Sequence, residues 1–113
     1  MLIRSQNKEV LTNLNALAGI EIAEGPVKTV ITSYITGCSY LLGEYSNKQK
    51  TVKVLDMLQK AYAEYEMLRG MSTGMGGIMV TYNTKMIVNE LEKEIQEKTI
   101  FQMPEDSEVE VND

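Results

Sequence analysis

The feature that most constrains the fold is a long amphipathic segment in the middle of the chain, residues 46–69. Apolar residues recur there at steps of three and four, a spacing that places them along one side of an α-helix. These residues are Val54, Leu55, Leu58, Ala61, Tyr62, Tyr65 and Leu68. Ser46 and Gln49 have the spacing of a capping box, and Gly70 is a natural helix end. The sequence therefore predicts a helix whose apolar face must be covered by another layer.

The segment before this helix predicts β-strands, because short runs rich in β-branched and aromatic residues alternate with turn signals. The predicted strands are residues 2–5, 10–14, 20–23, 27–35 and 39–45. Residues 9–18 also fit a helical period, so a helix is the alternative to the second strand. Consecutive strands joined by short turns predict an antiparallel meander of about five strands, with the helix across one face. The predicted fold class is α+β.

Beyond the long helix, the sequence predicts a second helix and a short final strand. A glycine-rich stretch leads to residues 77–82, which fit either a strand or an extended loop. Residues 84–98 repeat apolar side chains at helical spacing between charged ones, as expected for a surface helix. Residues 99–103 are β-prone and are closed by Pro104, which has no N–H for a ladder. The predicted partner of this last strand is the first strand, at Leu2-Ile3-Arg4, because its edge is otherwise unpaired.

The distribution of charge predicts the domain division. Residues 105–113 carry five of the 16 acidic residues and no basic residue, so they are expected to form a mobile acidic tail after a single domain of residues 1–104. The remaining 11 acidic and 11 basic residues balance. A neutral body lacks the basic stripe that binding to a phosphate backbone requires, so nucleic acid is not an expected partner.

The absence of targeting and membrane signals indicates a cytoplasmic protein. No run of 18 apolar residues predicts a transmembrane helix. The N-terminus becomes polar after three residues, which does not match a signal peptide. The single cysteine, Cys38, excludes an internal disulfide. Membrane association is therefore not expected.

The residue types that carry most enzymatic chemistry are absent or isolated. The chain has no histidine, which removes Ser-His-Asp and Cys-His arrangements. Cys38 has no second cysteine beside it and is expected to be a half-buried filler. The segment GMSTGMGG, residues 70–77, lacks the Lys-Ser/Thr of a phosphate-binding loop and follows a helix rather than a strand. The sequence predicts no enzymatic activity, catalytic residue, cofactor or metal site.

Two sets of residues are candidates for binding. Met71, Met75 and Met79 recur at four-residue steps, and without cysteine or histidine beside them they suit adaptable contact with a protein partner better than metal ligation. The second set comprises the tyrosines on the predicted strands and helix: Tyr34, Tyr40, Tyr45, Tyr62 and Tyr65. They are expected to pack the helix on the sheet, with a tyrosine-lined cleft for a small molecule as the alternative.

Three blocks of the sequence carry a resemblance to a known group of proteins: MLIRSQNKEVLTNLN, LLGEYSNKQKTVKVLDMLQKAY and FQMPEDSEV. In this order they resemble a family of small uncharacterised proteins of low-GC Gram-positive bacteria and of their phages and other mobile elements. The resemblance implies a compact sheet-plus-helix domain and transfers no catalytic motif. The stretch 70–82 departs from the pattern of that group.

These observations lead to two functional hypotheses. The first is a non-enzymatic interaction or accessory protein, encoded by a phage or mobile element, that binds a protein partner or associates with itself. The alternative is a small-molecule-binding domain that uses the tyrosine-lined cleft between sheet and helix.

Overall fold

A computed structural model describes residues 1–75, 93 and 98–111. In chain order, the elements of this part are β1 (Leu2–Arg4), β2 (Leu11–Asn13), a 3-10 turn (Leu14–Ala16), β3 (Gly19–Glu24), β4 (Thr29–Ile35), β5 (Cys38–Tyr45), α1 (Lys48–Met75), β6 (Ile100–Gln102) and a 3-10 turn (Asp106–Glu108). The α+β class is confirmed. Within the described residues, no helix combines the length and the apolar character needed to cross a membrane.

Two predicted segments fall on the rest of the chain. Residues 77–82, predicted as strand or loop, lie outside the described residues. The predicted second helix, 84–98, also lies outside them except for residues 93 and 98.

The strands form two sheets of three rather than the predicted single meander of five. β3, β4 and β5 are joined as consecutive antiparallel hairpins in the order β3-β4-β5. β1 pairs with β2 antiparallel and with β6 in parallel, which gives the order β2-β1-β6. The 3-10 turn at Leu14–Ala16 interrupts the extended chain after β2, so β3 begins a new sheet. The predicted pairing of the first and last strands is confirmed, and so is the strand assignment of residues 11–13.

The turn between β1 and β2 is formed by polar residues. The Lys8 N–H donates to the Ser5 carbonyl at 2.9 Å, and Lys8 has a φ of 67° in the left-handed region. Asn7 Oδ1 accepts from the Ser5 hydroxyl at 2.6 Å and from the Glu9 N–H at 3.0 Å. These bonds stabilise the reversal that returns the chain along β1 as β2.

One hydrophobic core is shared by both sheets and α1. Its buried residues are Met1, Ile3, Ile31, Leu42, Tyr45, Val54, Leu58, Met103 and Val109. The predicted apolar face of α1 is confirmed, since Val54, Leu58 and Leu68 are buried. The other predicted members pack against the core while partly buried: Leu55, Ala61, Tyr62 and Tyr65.

α1 starts and ends later than predicted. Asn47 Oδ1 accepts from the Lys50 N–H at 2.9 Å, so Asn47 rather than Ser46 caps the helix. The two residues are adjacent and both are good caps, but the Ser46 N–H is taken by Asp106 Oδ1 at 2.8 Å. The helix continues through Gly70 to Met75, because a glycine inside a helix costs only about 1 kcal/mol relative to alanine.

We expect Asn47→Ala to lower the free energy of unfolding by about 1 kcal/mol, because the Lys50 N–H loses its side-chain acceptor. Gln49→Ala is the matched control: Gln49 is exposed in the same turn, and its replacement should change stability by no more than about 0.5 kcal/mol. Urea unfolding of both variants measures the difference. A larger loss of stability for Gln49→Ala than for Asn47→Ala would instead support the predicted capping box of Ser46 and Gln49.

Candidate functional site

An apolar groove lies where β2 meets the end of the β4–β5 hairpin. We call it the β2 groove; it encloses about 380 Å³ and is lined by Glu9, Val10, Leu11, Thr12, Ile35 and Tyr40. Leu11 is 57% exposed, Ile35 36% and Tyr40 39%. Large apolar side chains gathered at one exposed place are typical of a surface that contacts another molecule.

The β2 groove exists because the core ends before the hairpin does. Side chains alternate along a strand, so Ile31, Ser33 and Ile35 share one face of β4. Ile31 and Ser33 are fully buried, whereas Ile35 is partly exposed. Tyr40 pairs with Ser33 across the hairpin and lies on this same face. The inward face of the sheet therefore extends past the core and emerges beside β2.

The hydrogen bonds of the β1–β2 ladder determine which groups of β2 face outward. The Ser5 N–H donates to the Val10 carbonyl at 2.8 Å. In an antiparallel ladder, hydrogen-bonded pairs alternate with pairs that exchange no bonds. The next bonded pair is therefore Ile3 with Thr12. Leu11 falls between the two bonded pairs, so its N–H and carbonyl turn away from β1.

Among the strands of the described residues, none pairs with the outer side of β2, which consequently presents a free edge beside the groove. Asn13 is two residues from Leu11, and its main-chain groups turn away from β1 in the same way. β2 lies at the end of the order β2-β1-β6. By the alternation of the ladder, neither the N–H of Leu11 nor that of Asn13 bonds to β1. An unpaired edge of this kind is a template for a strand of another chain.

A second candidate region is the C-terminal strap, which we define as residues 104–111. The sequence predicts a mobile acidic tail from residue 105, but residues 105–111 lie against the body. Val109 is only 3% exposed and belongs to the core, and Val111 is partly buried. The high density of acids hides two valines that anchor the segment, which is why charge alone predicts the wrong environment.

Polar contacts hold the strap on the start of α1. Asp106 Oδ1 accepts from the Ser46 N–H at 2.8 Å. Lys50 Nζ donates to the Asp106 carbonyl at 2.8 Å and lies 3.4 Å from its Oδ2. Lys53 Nζ donates to the carbonyl of Glu110. Each lysine thus binds a main-chain carbonyl of the strap, and one carboxylate of the strap binds the main chain before the helix.

Tyr45 fixes the beginning of the strap from within the core. Its side chain is 1% exposed, and its hydroxyl donates to the Pro104 carbonyl at 2.8 Å. Burial raises the pKa of Tyr45 far above its ordinary value, and the nearby carboxylates of Glu105, Asp106 and Glu108 act in the same direction. The hydroxyl therefore stays protonated and serves as a structural donor.

A cleft of about 360 Å³ adjoins the strap, lined by Gln6, Val27, Lys28, Glu44, Tyr45, Ser46, Glu105 and Asp106. Its polar groups bond to one another. Gln6 Oε1 accepts from the Glu44 N–H at 2.8 Å, and Gln6 Nε2 donates to the Glu44 carbonyl at 3.1 Å. Lys28 pairs with the Glu44 carboxylate at 3.4 Å. The Gln6 side chain thus ties the β1–β2 turn to β5, which is a structural role.

The structure describes only some of the residues that the sequence proposes for binding. Met71 and Met75 lie in the last turns of α1, and Met79 lies outside the described residues, so their contact with a partner stays a prediction. Tyr34 pairs with the neighbour of Tyr40 across the hairpin, which places these two tyrosines on opposite faces. The tyrosine-lined cleft stays a prediction, and its two tyrosines Tyr34 and Tyr40 lie on opposite faces of one sheet.

Other chemistry-bearing groups are scattered across the described residues. Cys38, expected to be half-buried, is exposed at the tip of the β4–β5 hairpin. Ser33 Oγ is buried without a hydrogen-bond partner in the described part of the chain. No group of three His, Cys, Asp or Glu side chains placed to hold a metal ion occurs among the residues described.

Comparisons with models of protein families, with curated proteins and with solved structures find no match to this chain. The β2 groove is therefore interpreted from its own geometry. The sequence marks Tyr40 only as a member of the predicted tyrosine-lined cleft, and it does not mark Leu11 or Ile35 for binding. The sequence does hold one signal for this groove. Leu11 is a large apolar residue that lies on the same face of the sheet as its charged cross-strand partner, Arg4.

We expect the strap contact to weaken in acid. Hydrogen bonding by Ser46 lowers the pKa of Asp106, and Lys50 acts in the same direction, while burial opposes them. A carboxyl group whose pKa is lower in the folded state contributes stability above its unfolded pKa, about 3.9 for Asp, and loses it as the pH falls through the folded value. Asp106→Asn should therefore destabilise the protein at neutral pH and much less near pH 2. Urea unfolding at both pH values checks this. An equal loss at both would contradict it.

Proposed function

We propose that this protein is a non-enzymatic interaction protein that binds an extended segment of a partner protein along the free edge of β2. The observation that carries the proposal is the position of the outward-facing main chain of Leu11 and Asn13 beside the β2 groove. A partner strand placed there donates to and accepts from these two residues, and its side chains alternate between solvent and groove.

The lining of the β2 groove specifies the chemistry of the partner segment. Leu11, Ile35 and Tyr40 form an apolar wall, which favours a β-branched or aromatic side chain at the position that points into the groove. Glu9 is exposed at the rim and favours a basic residue near one end of the segment. Main-chain bonds to the edge supply affinity, and these side-chain contacts supply specificity.

The accessory role in a phage or other mobile element belongs to the same proposal. It is supported by the resemblance of the three sequence blocks and by the exposed binding edge. The partner is a protein, and no reaction is assigned to the described residues. A second copy of this chain that pairs edge to edge through β2 is one form that the partner can take.

Selection of peptides from a random displayed library tests the proposal with a matched pair of variants. Leu11→Arg places a long cation in the groove, while Met67→Arg makes the same change on α1. Leu11 is 57% exposed and Met67 60%, so the two substitutions disturb comparable surfaces. We expect wild type and Met67→Arg to enrich peptides with alternating apolar residues. Leu11→Arg should weaken their binding at least about tenfold, the equivalent of 1.4 kcal/mol.

Sedimentation velocity of the same three proteins separates the forms of the partner. A wild-type dimer that Leu11→Arg dissociates and Met67→Arg preserves would identify the partner as a second copy. Peptides that bind Leu11→Arg as tightly as wild type would contradict the proposed site, and so would failure of wild type both to enrich any peptide and to dimerise.

A further inference from the structure

The C-terminal strap lies in a seat that has the properties of a peptide-binding site. We define the strap seat as the Ser46 N–H, the ammonium groups of Lys50 and Lys53, and the part of the core that receives Val109. The strap forms no strand pairing with either sheet. Its one fully buried apolar side chain beyond Pro104 is Val109, so the seat holds a short segment through few contacts.

The strap seat recognises a peptide through the peptide's main chain and through two of the peptide's side chains. Lys50 and Lys53 donate to the carbonyls of Asp106 and Glu110, groups that every peptide has. The Ser46 N–H and Lys50 bind the Asp106 carboxylate. Val109, three residues later, enters the core. The seat therefore selects an aspartate followed three residues later by an apolar residue, and its two lysines favour acidic neighbours.

The strap is a segment that can open without disturbing the strands or α1. Segments that bury few apolar side chains open locally at free energies below that of global unfolding. Opening the strap removes Val109 from the core but leaves β6 paired with β1. The strands and α1 do not depend on the strap for any of their ladder bonds.

We propose that the strap seat is a second protein-binding site, closed by the chain's own strap and opened by an acidic peptide of the pattern Asp-x-x-Val from a partner. The strap acts as an intramolecular competitor, so it lowers the apparent affinity for the partner by the fraction of molecules in which the seat is open. The site is separate from the β2 groove and does not depend on its function.

A binding experiment with the full chain tests this proposal. The probe is a fluorescein-labelled peptide with the sequence of residues 104–111, PEDSEVEV, measured by fluorescence polarisation. A strap variant carrying Asp106→Ala and Val109→Ala should bind it at least about tenfold more tightly than wild type, because its own strap competes poorly. The peptide with the same two changes, PEASEAEV, should bind neither protein.

Two further variants locate the bound peptide. Adding Lys50→Ala to the strap variant should abolish binding if the peptide occupies the strap seat. Adding Leu11→Arg should leave binding unchanged, because the β2 groove is a different site. Equal affinity for wild type and strap variant would overturn the proposal, as would absence of binding to a folded strap variant. Loss of folding in the strap variant would overturn it as well, because a displaceable strap is not required for the fold.

Discussion

Leu58→Ala is expected to lower the free energy of unfolding by about 2–5 kcal/mol. Leu58 is 5% exposed at the centre of the buried face of α1, where both sheets contribute to one core. Its replacement removes buried apolar surface and leaves a cavity that a shared core closes only in part. Because small domains have a total stability of about 5–15 kcal/mol, the loss should be visible in any unfolding experiment.

Met67→Ala is the control for this substitution, because Met67 lies on the same helix and is 60% exposed. It should change the stability by no more than about 0.5 kcal/mol. Urea unfolding of wild type and both variants gives the comparison. A Leu58→Ala protein that unfolds at the wild-type midpoint would contradict the assignment of the buried face.

The second large effect is expected from shortening the chain at its C-terminal end. A protein ending at Lys98 loses β6, the parallel partner of β1, together with the buried Met103 and Val109. Each fully buried side chain of this size contributes about 1.5–3 kcal/mol, so this protein should lose several kcal/mol and be largely unfolded. A protein ending at Pro104 keeps β6 and Met103 and should lose only about 1–3 kcal/mol, mainly from Val109.

Far-UV circular dichroism and urea unfolding of the two shortened proteins check this order. The protein ending at Pro104 should keep a cooperative transition at a lower midpoint than wild type. Equal midpoints for the two would mean that β6 contributes nothing to the sheet of β1, contrary to its register with Leu2–Arg4.

Local patterns in the sequence predict the elements of this fold well. The spacing of apolar residues identifies the buried face of α1, and alternation with turn signals identifies the hairpins of β3, β4 and β5. These features depend on neighbours in sequence. The pairing of β6 with β1 was also predictable, because a β-prone segment before Pro104 needs a partner and the first strand has an unpaired edge.

The features that the sequence predicts wrongly depend on contacts between distant residues. Ser46 and Asn47 are both suitable caps, and Asp106 takes the Ser46 N–H that the Gln49 side chain would need for the predicted capping box. The strap was predicted as a tail because its charge conceals the burial of Val109.

The β2 groove is the least predictable feature. Its apolar wall joins Leu11 of one sheet to Ile35 and Tyr40 of the other sheet. No local pattern links these residues, since their exposure results from where the core ends. The free edge of β2 was likewise hidden, because the meander predicted from the sequence placed the second strand inside one continuous sheet.

The most direct test of the proposed function is amide hydrogen exchange of β2 with and without a peptide selected by the wild-type protein. The Leu11 and Asn13 N–H groups face away from β1, whereas the Thr12 N–H is paired with Ile3. In the free protein, Thr12 should therefore exchange more slowly than its two neighbours. Bound peptide should slow Leu11 and Asn13 strongly and change Thr12 little. Unchanged fast exchange of Leu11 and Asn13 under saturating peptide would contradict strand addition at β2.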